Sequence, residues 1–167
     1  MKKEELNKLK ERLHYEKETG IFLWSNPITN SLKSGDIAGT KNKEGYIKIN
    51  INNKIYSAHR LAWLYFYEKF PKNYIDHING IKNDNRICNL RDVTSKESAK
   101  NKSIRNNNTS GFTGVSFSKA NKKWKAQICI KGKQTNLGYF KNKEDAIKRR
   151  KLANIKYGYH ENHGRKK

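Results

Sequence analysis

The chain has 167 residues, 34% of them hydrophobic, enough for one modest core or two small ones and too few for a large enzyme core. Its formal charge of +22, from 37 Lys and Arg against 15 Asp and Glu, exceeds what solubility requires and excludes cationic partners, so polyanions are expected. The excess is uneven: +4 over residues 1–58, +5 over 59–105 and +13 over 106–167.

Cys88 and Cys129 stand far apart with no CxxC pair, so neither a disulfide framework nor a cysteine zinc site is expected. A reducing cytoplasm is the default compartment. The run MKKEELNKLKERL lacks the apolar region of a signal peptide, and no stretch approaches the roughly 18 apolar residues of a membrane span. Neither export nor membrane insertion is therefore expected.

In chain order, Leu6, Leu9 and Leu13 recur at helical spacing among charges and predict a short amphipathic helix over residues 2–13. In GYIKININNKIYSAH, Ile47, Ile49 and Ile51 alternate with Tyr46, Lys48 and Asn50, and Asn52-Asn53 supply a two-residue turn, which predicts a β-hairpin. From His59 the period changes. Leu61, Leu64 and Tyr65 share a face of HRLAWLYFYEKF, Pro71 follows its end, and a buried helix is expected, with His59 helping to start or pack it. Residues 74–93 read as a short strand, a long Asn-rich loop and a second short strand over 90–93. Thr94 and Glu97 then form a capping box that opens a helix of about two turns.

Residues 101–110, NKSIRNNNTS, are polar and without a hydrophobic period, the signature of a linker. Beyond them, GFTGVSFS, KKWKAQICIKGK and QTNLGYF predict three short strands, and NKEDAIKRRKLANIKYG predicts a helix. Trp124, Ala126, Ile128 and Ile130 alternate with Lys125, Gln127 and Cys129, giving one packing face and one polar face. Ala146, Ala153 and Tyr157 fall on one side of the helix, which can cover the apolar sheet face.

The stretch YIDHINGIKNDNRICNLRDVTSKESAKNK, residues 74–102, carries the chemistry. Cutting a phosphodiester needs a base to activate water, a metal to neutralise developing charge and a scaffold to hold both. Neighbouring strand residues point to opposite sides, so Asp76 can bind a metal while His77 activates water. This stretch resembles the HNH endonucleases of homing and phage type, whose pattern is DHxxG, then DNR, NLR and a Thr-capped helix. Asp76, His77, Gly80, Asp84, Asn85, Arg86, Asn89, Leu90, Arg91 and Thr94 match it in order. The resemblance extends upstream through TGIFLW, GYIKI and HRLAW, covering most of residues 13–102.

That resemblance implies a small ββα-metal module in which His77 is the general base and Asp76 a ligand of one divalent cation per site, Mg2+ or Mn2+. Asn89 would brace the loop that orients the histidine. The pattern departs at the last ligand, usually Asn or His, where this chain has Ser98; Asn101, three residues on, is the other candidate. Asn83, Asp84 and Asn85 read as loop formers. His14, His160 and His163 have no matching partners and read as surface residues or phosphate contacts.

The C-terminal segment resembles the Apetala and ethylene-response-factor (ERF) type DNA-binding domain over about residues 110–158. Gly114, Val115, Trp124, Ala126, Ile128, Leu137, Gly138, Phe140, Glu144, Asp145 and Ala146 carry the likeness. It implies a three-stranded antiparallel sheet that meets duplex DNA while a helix packs behind it. Ser116, Ser118, Gln127, Cys129 and Asn136 stand where plant members carry Arg or Trp, so base specificity does not transfer. Gln and Asn suit adenine edges. Lys123, Lys125, Lys131, Lys133 and the run Lys148, Arg149, Arg150 and Lys151 are expected on phosphates.

The expected class is α+β: a ββα-metal nuclease module preceded by a β-hairpin region and followed by a three-stranded antiparallel sheet packed on one helix. The expected organisation is an N-terminal helix and hairpin over 1–58, the nuclease module over 59–102, a linker over 103–110, the ERF-type domain over 111–160 and a basic tail over 161–167. The expected activity is hydrolysis of double-stranded DNA without a small-molecule cofactor. A monomer or weak dimer would nick, since one site cuts one strand. A catalytically inactive DNA-binding regulator is the alternative. An RNA-binding protein would account for the charge and leave the ordered motif without a reason.

Overall fold

In a computed structural model of the chain, the structure describes residues 3–27, 29 and 31–166. It divides into two compact units, Met1–Ser95 and Lys96–Lys167.

In the first unit, α1 (Lys3–Arg12) buries Leu6 and Leu9 and hands the chain to β1 (Leu13–Glu16), whose Leu13 is also buried. Strand β1 pairs antiparallel with β2 (Ile21–Trp24). The turn between them closes on Gly20, whose φ of 76° suits a residue without a Cβ. Next, β3 (Thr40–Lys41), β4 (Ile47–Ile51) and β5 (Lys54–Ser57) form an antiparallel sheet in the order β3-β4-β5. Asn52 and Asn53 make the predicted β4–β5 turn with φ of 50° and 61°, a left-handed pair that Asn tolerates better than most side chains. Strand β3 adds a third member that two polar residues gave no period to announce.

Helix α2 (Ala58–Tyr67) buries Ala58, Leu61, Ala62 and Leu64, joining Phe22, Trp24, Ile49 and Ile51 in one core. Strand β6 (Tyr74–His77) pairs antiparallel with β7 (Leu90–Val93), which a 3-10 turn at Ile87–Asn89 introduces. Helix α3 (Ser95–Ala99) follows Thr94 and has five residues, shorter than the two turns expected. Its end tightens, because the amides of Lys100 and Asn101 donate to the carbonyls three residues back, on Glu97 and Ser98.

In the second unit, β8 (Val115–Ser118), β9 (Lys123–Ile130) and β10 (Lys133–Phe140) form an antiparallel sheet in the order β10-β9-β8. Helix α4 (Lys143–Lys156) packs on one face through Ala146 and Ala153, against a core that includes Val115, Ala126 and Ile128. A bulge between Asn136 and Gly138 turns Leu137 towards that core.

The two units divide at Ser95/Lys96, upstream of the 103–110 segment expected to separate them. That segment is tied down within the second unit: the Gly164 amide donates to the Lys102 carbonyl at 2.8 Å and the Ile104 amide to the Arg165 carbonyl at 2.9 Å. A polar, aperiodic stretch can thus be ordered through its backbone bonds rather than by burying apolar side chains. Among the described residues, no helix is long and apolar enough to cross a membrane.

Candidate active site

Strand β6, paired with β7, holds the DH pair, and its alternation separates the two side chains. His77 is 4% exposed, and its Nε2 lies 3.2 Å from Oδ1 of Asn85, itself buried. An amide oxygen only accepts, so this bond puts the proton on Nε2 and leaves Nδ1 as the lone-pair nitrogen. Burial is the main cause of a pKa below the ordinary histidine value, only partly offset by the Asn85 bond and the charges of Asp76 and Asp84. The ring is neutral at neutral pH.

The loop between the strands is held by its own amides. Asn89 Oδ1 accepts the Asn79 amide at 3.0 Å, and Asn89 Nδ2 donates to the Asp84 carbonyl at 2.8 Å, so one buried side chain ties both ends of residues 79–84. Asn79 Nδ2 donates to Asp84 Oδ2 at 2.7 Å, and Arg86 grips Asp84 with two nitrogens at 2.8 and 2.7 Å. That guanidinium is the chief reason the Asp84 pKa is lowered. The β1–β2 hairpin buttresses the loop from outside the motif. Tyr15 donates its hydroxyl to the Asn85 carbonyl at 2.8 Å, and a Cβ on Gly20 would overlap the backbone of Asn85 and Arg86.

Across from Asp76 stands its strand partner Arg91, which donates to Asp76 Oδ2 from Nε at 3.0 Å and from a terminal nitrogen at 2.7 Å. Among the described residues, no group of three or more His, Cys, Asp or Glu side chains is placed to hold a metal. A tetrahedral zinc centre, with four protein ligands or three and a water, therefore does not fit. A hard cation that keeps several waters needs only one or two carboxylates, a chemistry that the Asp76 carboxylate matches. Ser98 and Asn101 belong to the second unit. Ser98 is half-buried, whereas Asn101 is 2% exposed and its Oδ1 accepts a bond of 2.9 Å from Arg165.

Residues 56–100 match the HNH endonuclease family model. The match runs from Tyr56 in β5 through α2, β6, the loop and β7, and takes in α3. The chain is also 40% identical over 67 residues to Protein 3.8 of Escherichia phage T7, a match covering 40% of this chain and 55% of that protein. The chain thus spans about half the length of that curated relative. No solved structure matches.

Outside the HNH segment, the second unit carries 20 Lys and Arg against 4 Asp and Glu over residues 96–167, a formal charge of +16. Directly paired strand residues share a sheet face, so the register places Ser116, Ser118, Lys123, Lys125, Gln127 and Asn136 together on the face opposite α4. Gln134 and Tyr139 join them, and sequence reading missed both. Straight alternation from Asn136 would turn Phe140 outward, but the bulge turns Tyr139 out instead, 41% exposed.

Other expected phosphate contacts lie elsewhere. Lys131 sits exposed in the β9–β10 turn, and Lys133 pairs with Ile130, in register with the covered face though exposed at the sheet end. Arg149 is exposed on α4, behind the sheet. Arg150 is not on the surface: it is 2% exposed, donates to Asn154 Oδ1 at 2.6 Å, lies 4.9 Å from the Tyr159 ring and packs on Gly114. Its spacing explains this, since Arg150 falls between Ala146 and Ala153 on the buried stripe of α4. His163 is half-buried rather than fully on the surface. Both of its nitrogens are buried, and burial, then the charge of Arg150, lowers its pKa to about 4.

Proposed function

We propose that the protein is an HNH-type DNA endonuclease that depends on a divalent cation and is steered to duplex DNA by its basic second unit. The observation that carries this reading is His77, buried and neutral, with Nε2 anchored on Asn85 and Asp76 beside it on the same strand. His77 Nδ1 takes the proton from the attacking water, and the bond to Asn85 keeps the ring in the tautomer that can do so. Asn89 braces the loop that carries Asn85. Arg91 orients the Asp76 carboxylate, which would hold Mg2+ or Mn2+; the sequence pattern offers Ser98 or Asn101 as a further ligand. When bound, that cation would neutralise charge developing on the phosphate and on the departing 3′ oxygen.

The open face of the β8–β10 sheet carries the DNA, with Lys123 and Lys125 on phosphates and Gln127, Gln134 and Asn136 facing base edges, as in an ERF-type domain. One site per chain cuts one strand, so the product is a nick with a 5′ phosphate. A second reading, a DNA-binding regulator without activity, is favoured by Ser98 at the last ligand position and by the ion pair that engages Asp76.

The test is supercoiled plasmid with Mg2+ at low salt, comparing wild type, His77→Ala and an EDTA control. Nicked circles from wild type alone, and only with metal, support the nuclease. Intact plasmid with Mg2+ and with Mn2+, together with a clear gel shift, would establish the regulator.

A further inference from the structure

His59, expected from sequence only to start or pack its helix, lies in the first turn of α2 with its ring centroid 5.3 Å from that of His77, at 75° to it. Tyr46 completes a three-ring group, 5.3 Å from His59 and 6.0 Å from His77, and Lys82 Nζ caps the Tyr46 ring at 4.9 Å. The Nδ1 atom of His59 is buried with no hydrogen-bond partner among the described residues. No bond at that atom fixes the His59 ring; packing against Tyr46 and His77 does. Burial above all, then the charges of His77, Lys48 and Arg60, lowers its pKa to about 3, so it stays neutral beside His77.

We propose that His59 is a positioning residue for His77: its flat ring forms, with Tyr46, the wall that holds the His77 imidazole where Nε2 meets Asn85. The inference rests on the nuclease reading above. Rotation about the last torsion of a histidine is broad and two-fold. Rings packed against the His77 imidazole at 75° and 45° narrow that rotation. Geometry of this kind matters because a misplacement of about 1 Å in a reacting group can cost about 100-fold in rate.

The experiment compares His59→Phe and His59→Leu in the full chain. Both fill the space and remove the nitrogens, but only Phe keeps a flat ring. Plasmid nicking is followed over a range of DNA concentrations with Mg2+, beside melting midpoints and gel shifts. The expected result is a kcat for His59→Leu lower by about tenfold or more, with KM and DNA affinity unchanged and His59→Phe restored to near wild type. Equal kcat for both variants, whether at the wild-type level or equally reduced, overturns the proposal.

The second readout is the nitrogen NMR signals of the His77 imidazole, expected to show one tautomer in wild type and His59→Phe and averaging in His59→Leu. Identical His77 signals in all three overturn it. If the Leu variant does not fold, His59→Phe decides: near-wild-type kcat and tautomer support the proposal, and loss of either overturns it. A wild type that binds but does not cut defeats the nuclease reading alone, and the His77 signals still decide the positioning.

Discussion

The two units differ in where they keep their polar groups. The first has a formal charge of +6 over residues 1–95 and buries His77, Asn85 and Asn89, all joined by short hydrogen bonds to a single loop. The second has +16 over residues 96–167, a core of small residues such as Ala126, Ala146 and Ala153, and a sheet face lined with Lys, Gln, Asn and Ser. Low dielectric strengthens a bond and sharpens a pKa, so chemistry belongs in the interior; attraction to a polyanion acts through solvent, so it belongs on a surface. The comparison teaches that the buried hydrogen-bonded histidine and the bulk of the positive charge are carried by different units.

His77→Ala tests that separation most strongly. It should lower plasmid cleavage by about 100- to 10,000-fold, the usual contribution of a general base, while the gel-shift affinity stays at the wild-type value. A matching loss of affinity would break the division of labour.

Acid should act on both units through stability. His59 and His163 titrate at about 3 and about 4 in the folded chain and near the ordinary 6.5 when unfolded. Their depressed values mean that the unfolded state binds more protons, so the stability they contribute is complete above pH 6.5 and is lost as pH falls towards 4 and then 3. Urea midpoints measured from pH 7.5 to pH 4 should fall steadily below 6.5. A flat profile would show that these rings are solvated.

Asn89→Ala sharpens the comparison within the first unit. It strands the Asn79 amide and the Asp84 carbonyl, for a loss of about 1–3 kcal/mol of stability by urea titration. Cleavage should fall while DNA affinity holds. The smallest effect is expected from Lys125→Ala on the open sheet face, which should weaken binding several-fold and reduce the slope of log K against log salt by about 0.9, one phosphate contact. Arg149→Ala, behind the sheet, should leave that slope unchanged.

Much of this was legible in the sequence because short-range period and turn chemistry decide local structure. The Ile47–Ile49–Ile51 alternation with Asn52-Asn53 foretold β4 and β5, and Trp124, Ala126 and Ile128 foretold the packed face of β9. The ordered motif brought out His77 and also Asn89, whose amide makes two bonds to the loop between β6 and β7. What stayed hidden depends on contacts distant in sequence or on one-residue irregularities. Nothing local says that His59 and His77 meet, that Arg165 engages Asn101, or that a bulge at Leu137 turns Tyr139 outward. The burial of Arg150 is written in the sequence as a 3.6-residue period through Ala146, Arg150 and Ala153, which the run of cations around it masks.

One consequence concerns anyone who would borrow this site for another scaffold. The family match begins at residue 56, yet the loop that presents Asn85 leans on the Gly20 backbone and the Tyr15 hydroxyl, both far upstream of it. A graft of residues 56–100 would carry the motif without its buttress. The smallest transplantable piece starts at the first hairpin, and a single methyl group at position 20 should be enough to spoil it.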